Sequence, residues 1–211
     1  MMNEEHVFSE TKMHDSFPRE RRDGRMTVDE NSNEYRSMLI YGVIAFALAL
    51  FIRFFVAAPY LVQGASMDPT FHSADYLIID RVSYRLEEPA RGDVIVFRYP
   101  QDPSRSFIKR IIGLPGETVE IRGNTVHIIN PENPDGFAIS EPYLAPENAR
   151  DSTVTVTLGA NDYFVLGDNR KASADSRTWG SLPRDLITGR ALLRLYPFTQ
   201  IEINPGNAVY E

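Results

Sequence analysis

Residues 107–112 read FIKRII, a short apolar run with a lysine and an arginine at its centre. Five other short runs are also rich in β-branched, aromatic and leucine residues, and turn-forming residues separate them. They lie at 76–79, 94–97, 153–158, 163–166 and 191–196. Short strands with few helical segments predict an all-β fold, in which twisted antiparallel sheets form a sandwich or a partial barrel.

A β-hairpin is predicted after the FIKRII run. Residues 119–121 and 125–128 flank Arg122-Gly123-Asn124, where a glycine beside an asparagine can supply the positive φ of a tight turn. Between residues 130 and 151 the content of proline, asparagine and glutamate rises, and the segment lacks a core of its own. We therefore expect an extended surface excursion of the β domain there, and not a second domain.

A uniformly apolar stretch precedes all of these runs. Residues 38–58 read MLIYGVIAFALALFIRFFVAA, which as a helix would be about 31 Å long and would match a bilayer core. Its one charge, Arg53, lies near the end, where the side chain can reach the interface. A cleavable signal peptide is disfavoured by the long leader and by Pro59, and a buried core helix is usually shorter or amphipathic. We predict a transmembrane helix at 37–58.

The charges that flank this stretch predict its orientation. Five arginines lie within about 20 residues before it, and no lysine or arginine follows within about 20 residues. The N-terminus should therefore be cytoplasmic in a single-pass protein of the plasma membrane, with a β-rich domain at 59–211 on the outer face. Residues 1–36 are polar and of mixed charge, which predicts a disordered cytoplasmic tail.

The composition excludes several classes of function. A net charge of -7 without a basic stripe argues against a nucleic-acid partner. The chain has no cysteine, so it forms no disulfide and offers no thiolate as a nucleophile or a metal ligand.

Lys109, at the centre of FIKRII, is the leading candidate for catalysis. The chain has only two other lysines, Lys12 and Lys171, and every other basic side chain is an arginine, which keeps its proton. An amine among bulky apolar neighbours loses solvation, which lowers its pKa and lets it act as a neutral base near pH 7. The alternative is a lysine on the outer face of a strand, extended over its apolar neighbours.

Ser66 is the nucleophile that such a base would need. It follows Gly64 and Ala65, whose small size leaves room for a substrate backbone, and Pro69 comes three residues later. The alternative is a serine in an ordinary polar turn. Because Ser66 lies eight residues after the apolar stretch, an extended chain would keep it within about 26 Å of the bilayer. His72, six residues after Ser66, is an alternative base.

Residues 167–177 read GDNRKASADSR and directly follow a predicted strand. One interpretation is a solvated turn held by surface ion pairs. Another is a calcium or magnesium loop, but the spacing of the acidic residues does not follow the calcium-loop pattern, and basic residues interrupt it. We therefore predict no metal site.

Three segments share the order and spacing of the motifs of one enzyme family. They are Ser66-Met67-x-Pro69-Thr70, Lys109-Arg110-x-x-Gly113-x-Pro115-Gly116 and Gly167-Asp168-Asn169-Arg170-x-x-Ser173-x-Asp175-Ser176-Arg177, and Gly92-Asp93-x-x-x-Phe97 matches a further motif of that family. They resemble the sequence boxes of bacterial type I signal peptidases. The resemblance runs from the apolar stretch to about Pro197, and one span with a cytoplasmic N-terminus is most similar to the single-pass forms typical of Gram-positive bacteria.

The resemblance implies a membrane-bound serine endopeptidase that removes N-terminal signal peptides from exported preproteins at Ala-x-Ala-like sites, through an acyl-enzyme and without a cofactor. It implies that Ser66 is the nucleophile and Lys109 its general base. It further implies that Ser173 orients the Lys109 amine by a hydrogen bond, and that Asp175 and Arg177 form a supporting ion pair. The small substrate pockets would be lined by Val62, Met67, Phe107 and Ile108.

The chain departs from the best-known two-span forms at one position. Those forms carry a serine two residues before the nucleophile, whose hydroxyl donates to the oxyanion, and this chain has Gly64. The N–H of Ser66 and a second, unidentified donor would then form the oxyanion hole. Arg110 and Asp168 match positions thought to be structural.

The resemblance also implies the partners of the protein. They are secretory preproteins and the lipid bilayer, with the export translocon nearby. A competing hypothesis is a non-catalytic, membrane-anchored β domain that binds exported polypeptides without cutting them. The presence of all five catalytic and supporting residues argues against it. A cytoplasmic self-cleaving repressor with Ser-Lys chemistry is disfavoured by the predicted span.

Overall fold

The computed structural model describes residues 28–208 and 210. Contacts within the chain divide it into two units, Met1–Ala45 and Phe46–Glu211. The described part of the first unit is helical, and the second unit contains every strand of the described residues. The all-β prediction for the region after the apolar stretch is confirmed, and residues 1–27 of the predicted tail lie outside the described residues.

The apolar stretch forms a helix, α1 (Val28–Phe51), followed by a π-helical turn at Ile52–Val56. Its window Glu34–Phe51 is long and apolar enough to cross a membrane, and none of that window is buried. The helix begins earlier than predicted, because residues 28–36 of the expected disordered tail are helical.

The predicted transmembrane helix at 37–58 also extended too far toward the C-terminus. Ala57 and Ala58 begin a β-strand, where they pair with Asp80 and Ile79. Hydropathy alone extended the span through these two alanines, but strand pairing satisfies their backbone groups with partners from the folded domain.

Twelve strands follow α1 within the described residues. In chain order they are β1 (Ala57–Leu61), β2 (Tyr76–Asp80), β3 (Val94–Tyr99), β4 (Asp102–Gly113), β5 (Thr118–Gly123), β6 (Thr125–Asn130), β7 (Asn133–Ala138), β8 (Ser152–Thr157), β9 (Asp162–Leu166), β10 (Leu182–Pro183), β11 (Ile187–Tyr196) and β12 (Glu202–Ile203). All pairings are antiparallel. They form an eight-stranded sheet in the order β1-β2-β11-β3-β4-β9-β10, with β12 beside β11, and a four-stranded sheet in the order β7-β6-β5-β8.

The larger sheet is covered on both faces near its centre. In β3, Val94 and Val96 face one apolar cluster, and Ile95 and Phe97 face another. A strand buried on both faces needs no polar alternation, which explains why β3 reads as a continuous apolar run. The neighbouring β4 is covered in the same way over its second half, and this half carries Lys109.

The smaller sheet contains the predicted hairpin. β5 and β6 are joined at Gly123, whose φ is +65°, as a tight turn requires. The excursion after residue 130 contains a strand that the sequence did not predict. β7 pairs with β6 at the edge of the sheet. It includes Pro134 and Gly136, which are tolerated at an edge because no further strand needs their backbone groups.

Candidate active site

Lys109 lies in the middle of β4, where it pairs with Ile95 of β3. It is 4 % exposed. Burial removes water from the ammonium and lowers the pKa of Lys109 to about 8, although the carboxylates of Asp175 and Asp168 act in the opposite direction. The sheet thus holds an amine that can lose its proton only a little above neutral pH.

The amine of Lys109 contacts the hydroxyl of Ser66. Lys109 Nζ and Ser66 Oγ are 2.7 Å apart, and Nζ donates a second hydrogen bond of 2.7 Å to the backbone carbonyl of Ile108. A neutral amine in this position can donate to the carbonyl and direct its lone pair at the hydroxyl proton. The two residues, 43 positions apart in the chain, thus have the geometry that a nucleophile and its base need for acyl transfer.

The loop that carries Ser66 is fixed by the segment after β9. The N–H of Asn169 donates to the carbonyl of Ser66 at 3.0 Å. Gly167 lies so close to this loop that a Cβ would be 2.4 Å from the Ser66 carbonyl oxygen and 2.3 Å from Ser173 Oγ. Only glycine fits there, and its lack of a side chain allows the two segments to touch.

The predicted ion pair between Asp175 and Arg177 is present in the structure. Two nitrogens of the Arg177 guanidinium, Nε and Nη2, each donate to one carboxylate oxygen of Asp175 at 2.8 Å. Asp175 also accepts a hydrogen bond of 3.1 Å from the N–H of Gly167. The pair therefore holds the turn from residue 167 to 177 that packs on the Ser66 loop.

Ser173 is placed beside this site, but the expected hydrogen bond to Lys109 is absent. Its hydroxyl is buried and has no hydrogen-bond partner among the described residues. The Lys109 amine is oriented instead by the carbonyl of Ile108, its own chain neighbour. A supporting role for Ser173 stays a prediction.

A second buried ion pair involves Arg110 of β4. Arg110 and Asp168 form two hydrogen bonds, of 2.9 and 2.6 Å, and their side chains are 0 % and 1 % exposed. Thr70 donates to the same carboxylate at 2.5 Å. Because Arg110 follows Lys109 and Thr70 belongs to the Ser66 loop, this pair links both halves of the site.

The excursion between β6 and β8 contributes residues that the sequence analysis missed. The guanidinium of Arg110 lies 3.8 Å from the ring centroid of Tyr143, and Glu141 pairs with the buried Arg170. The side-chain amide of Asn148 donates to the carbonyl of Asp68 at 3.0 Å. Apolar periodicity could not reveal these contacts, because each comes from a polar side chain in an irregular segment.

His72, the alternative base, points elsewhere. Its Nδ1 is 2.7 Å from the carboxylate of Asp68, and its side chain is 55 % exposed. No described contact connects it with Ser66. Among the residues that the structure describes, no group of three or more His, Asp or Glu side chains could hold a metal ion.

Ser66 and Lys109 open into a cleft of about 520 Å³. Of the four residues predicted to line the substrate pockets, Phe107 and Ile108 line this cleft. Val62 and Met67 do not; their apolar side chains are buried in the core cluster beneath it. The complete lining consists of Tyr60, Leu61, Gln63, Gly64, Ala65, Ser66, Arg105, Ser106, Phe107, Ile108, Lys109, Ala172 and Ala174.

The backbone beside Ser66 is available to a substrate. The N–H of Ser66 takes part in no hydrogen bond within the described chain. Gly64 has a φ of +86°, and a Cβ there would meet nothing within 4 Å. An oxyanion could therefore approach the Ser66 N–H without obstruction from position 64.

A larger cleft, of about 830 Å³, lies away from this pair. It includes neither Ser66 nor Lys109. Two of its arginines already bond protein groups: Arg98 donates to the carbonyl of Asp185, and Arg184 pairs with Glu88. The smaller cleft, with its buried base, is the better candidate for chemistry.

Comparisons with known proteins identify the relatives of the chain. The family model described as signal peptidase, peptidase S26, matches residues 35–196. Probable signal peptidase I-1 of Synechocystis sp. is 40% identical over 74% of this chain and 79% of its own length. Signal peptidase I of Bacillus licheniformis is 34% identical over 83% and 98%. A solved signal peptidase I from Enterococcus faecalis V583 is 37% identical, covers 49% of this chain and 97% of its own, and has a TM-score of 0.42.

Proposed function

Because the chain belongs to the signal peptidase family, peptidase S26, we propose that Ser66 and Lys109 are the residues with which it removes signal peptides from preproteins. Family membership makes the protein a serine endopeptidase, and not the binding-only domain considered as the alternative. One observation carries the assignment: a buried lysine amine, with its pKa lowered to about 8, lies 2.7 Å from a serine hydroxyl.

The reaction begins when neutral Lys109 accepts the proton of Ser66 Oγ, which attacks the scissile carbonyl carbon. The N–H of Ser66 donates to the oxygen that becomes negative in the tetrahedral intermediate. The Lys109 ammonium then protonates the leaving amine, and the signal peptide remains as an ester on Ser66. Lys109 next accepts a proton from water, which attacks the ester carbonyl, and the resulting ammonium returns that proton to the departing Ser66 oxygen, so that the serine and the neutral amine are restored.

The free edge of β4 supports binding of the preprotein as an added strand. β4 pairs with β3 along most of its length, but its pairing with β9 begins only at Arg110. No described strand therefore pairs with residues 106–109 on the side of the cleft, and an extended peptide can add there. Two carbonyls of this segment already accept side-chain hydrogen bonds, that of Ser106 from Tyr60 and that of Ile108 from Lys109. Phe107 and Ile108 would leave room for small side chains before the cut, which accounts for an Ala-x-Ala preference.

The arrangement in the membrane is part of the proposal. Helix α1 would anchor the protein in the bilayer, with the N-terminus cytoplasmic and residues 59–211 on the outer face of the plasma membrane. The five arginines before the apolar stretch support this orientation. Signal peptides would reach the cleft from the same membrane, beside the export translocon.

The activity is expected to rise with pH through about 8. Lys109 works as a base only when neutral, and its pKa lies near 8. Below this value kcat/KM should fall about tenfold for each pH unit, and above it the rate should level off. The measurement is a pH–rate profile from 6 to 10 with a preprotein that has no titrating group near the cut. A flat profile, or a midpoint near 10.5, would contradict the assignment of the base.

Cleavage of matched preproteins tests the function itself. The detergent-solubilised protein should cut a preprotein after the second alanine of an Ala-x-Ala site, as located by mass spectrometry. Changing that alanine to leucine should lower kcat/KM by at least about 100-fold, because the small pocket proposed at Phe107 and Ile108 would not admit the larger side chain. Equal cleavage of the two preproteins would contradict the proposal that Phe107 and Ile108 bound pockets for small side chains only.

A further inference from the structure

Among the residues that the structure describes, Arg105 is the only permanently charged side chain on the lining of the cleft that contains Ser66 and Lys109. Of the lining residues, only Arg105 and Lys109 have basic side chains, and none is acidic. Lys109 must be neutral to act as the base, whereas an arginine keeps its charge. We propose that Arg105 makes the enzyme select preproteins by charge, favouring an acidic side chain a few residues before the scissile bond and disfavouring a basic one. This inference rests on the proposed function of the same cleft.

Aromatic rings hold the charge in place. The guanidinium of Arg105 lies 5.1 Å from the ring centroid of Phe107 and 5.9 Å from that of Tyr99. The two rings stack on each other with centroids 4.7 Å apart. A cation over aromatic faces is stabilised at that position, so an exposed side chain keeps a defined location at the cleft.

The strand geometry gives the distance of this charge from the reacting bond. Arg105, Phe107 and Lys109 alternate along β4 and share one face. Arg105 and Lys109 are four positions apart, and the charged groups of both lie near the ring of Phe107, 5.1 and 5.5 Å from its centroid. The guanidinium is therefore at most about 11 Å from the amine, which corresponds to about three residues of an extended peptide. The first residue before the cut lies beside the amine, so a peptide extended beside β4 would bring its fourth residue from the cut to Arg105, and the fifth follows it. Both residues belong to the signal peptide, because Phe107 and Ile108 are proposed to contact the residues directly before the cut.

The charge of Arg105 is only partly offset by the protein. Asp102, at the start of the same strand, interacts with it electrostatically, and the carboxylate of Asp102 accepts hydrogen bonds from Ser104. Arg105 forms no salt bridge with any described residue. A substrate carboxylate can therefore approach the guanidinium without displacing an existing partner.

Preproteins that differ at one residue test the proposal. Two sets carry Asp, Ala or Lys at the fourth or at the fifth residue before the cut. The wild type should prefer Asp over Lys by about tenfold in kcat/KM at low salt in at least one set. Arg105→Gln should reduce that ratio to about one, and Arg105→Glu should reverse it. The ratio should also shrink in 0.5 M NaCl, because salt screens exposed charges.

Arg122→Gln is the matched control, since Arg122 is an exposed arginine on the smaller sheet. It should keep the wild-type ratio. Cleavage of the Ala substrates by the wild type tests the proposed function separately. If those substrates are cut while Asp and Lys substrates react equally in both sets, charge selection is overturned and the proposed function stands. A wild-type preference that survives in Arg105→Glu would also overturn the assignment to Arg105.

Discussion

Replacing Lys109 by methionine is expected to abolish cleavage and at the same time to stabilise the fold. Methionine keeps the length of the side chain but removes the base, so kcat/KM should fall by about 1000-fold or more. Burial lowers the pKa of Lys109 from 10.5 to about 8, so at pH 7 the lysine is charged in both the folded and the unfolded chain, and folding disfavours that charge. Its removal should raise the free energy of unfolding by about 1–3 kcal/mol. Peptidase assays and urea unfolding at pH 7 measure the two changes.

Two further variants separate these effects. Ser66→Ala should lose activity to the same extent without the gain in stability, because a half-buried hydroxyl carries no comparable desolvation cost. Lys171→Met changes an exposed lysine and should alter neither quantity. Cleavage that survives Lys109→Met would show that another group is the base. A loss of stability in that variant would show that the contacts of the amine outweigh its desolvation.

Asp168→Asn is expected to destabilise the protein by about 3–5 kcal/mol. The substitution preserves the shape of the side chain but leaves the guanidinium of Arg110, which is 0 % exposed, without its counter-charge. It also weakens the acceptor of the hydrogen bond from Thr70, which holds the Ser66 loop. Urea unfolding should therefore show a lower midpoint, and activity should fall even under conditions where the variant remains folded.

The exposed pair of Arg122 and Glu120 provides the comparison for this second substitution. Glu120→Gln breaks the same kind of charge contact on the surface, where solvent screens it, and should lower the urea midpoint far less than Asp168→Asn does. Similar losses of stability for Asp168→Asn and Glu120→Gln would mean that other groups compensate the buried charge of Arg110, for example the carbonyl of Gly92.

The main elements of the site were predictable from local sequence. The apolar neighbours of Lys109 indicate burial, and burial is what lowers the pKa of its amine. Three separated segments carry motifs of one family, which predicts that they meet, and the contact between Ser66 and Lys109 agrees with this. The apolar runs likewise gave most strands of the larger sheet, because β3 and β4 are buried on both faces and have no polar alternation to obscure them.

The remaining features depend on contacts that no local pattern encodes. Strand β7 contains proline and glycine, and it exists because the edge of β6 is available for pairing. Ala57 and Ala58 are as apolar as the helix before them, and only the backbone of β2 makes them a strand. Tyr143 reaches Arg110 from an irregular segment, and its aromatic ring gives no indication of a distant guanidinium.

Lys109 and Arg110 are adjacent, and β4 presents them on opposite faces. Lys109 pairs with Ile95 and faces the cleft, whereas Arg110 pairs with Val94 and faces Asp168. Side chains in a strand alternate, so a slip of β4 by one residue would exchange the two cations. Ser66 would then face a guanidinium that cannot accept a proton, and Asp168 would face an amine unable to form a bidentate pair. The register between β3 and β4 therefore determines whether the folded chain is an active or an inactive enzyme.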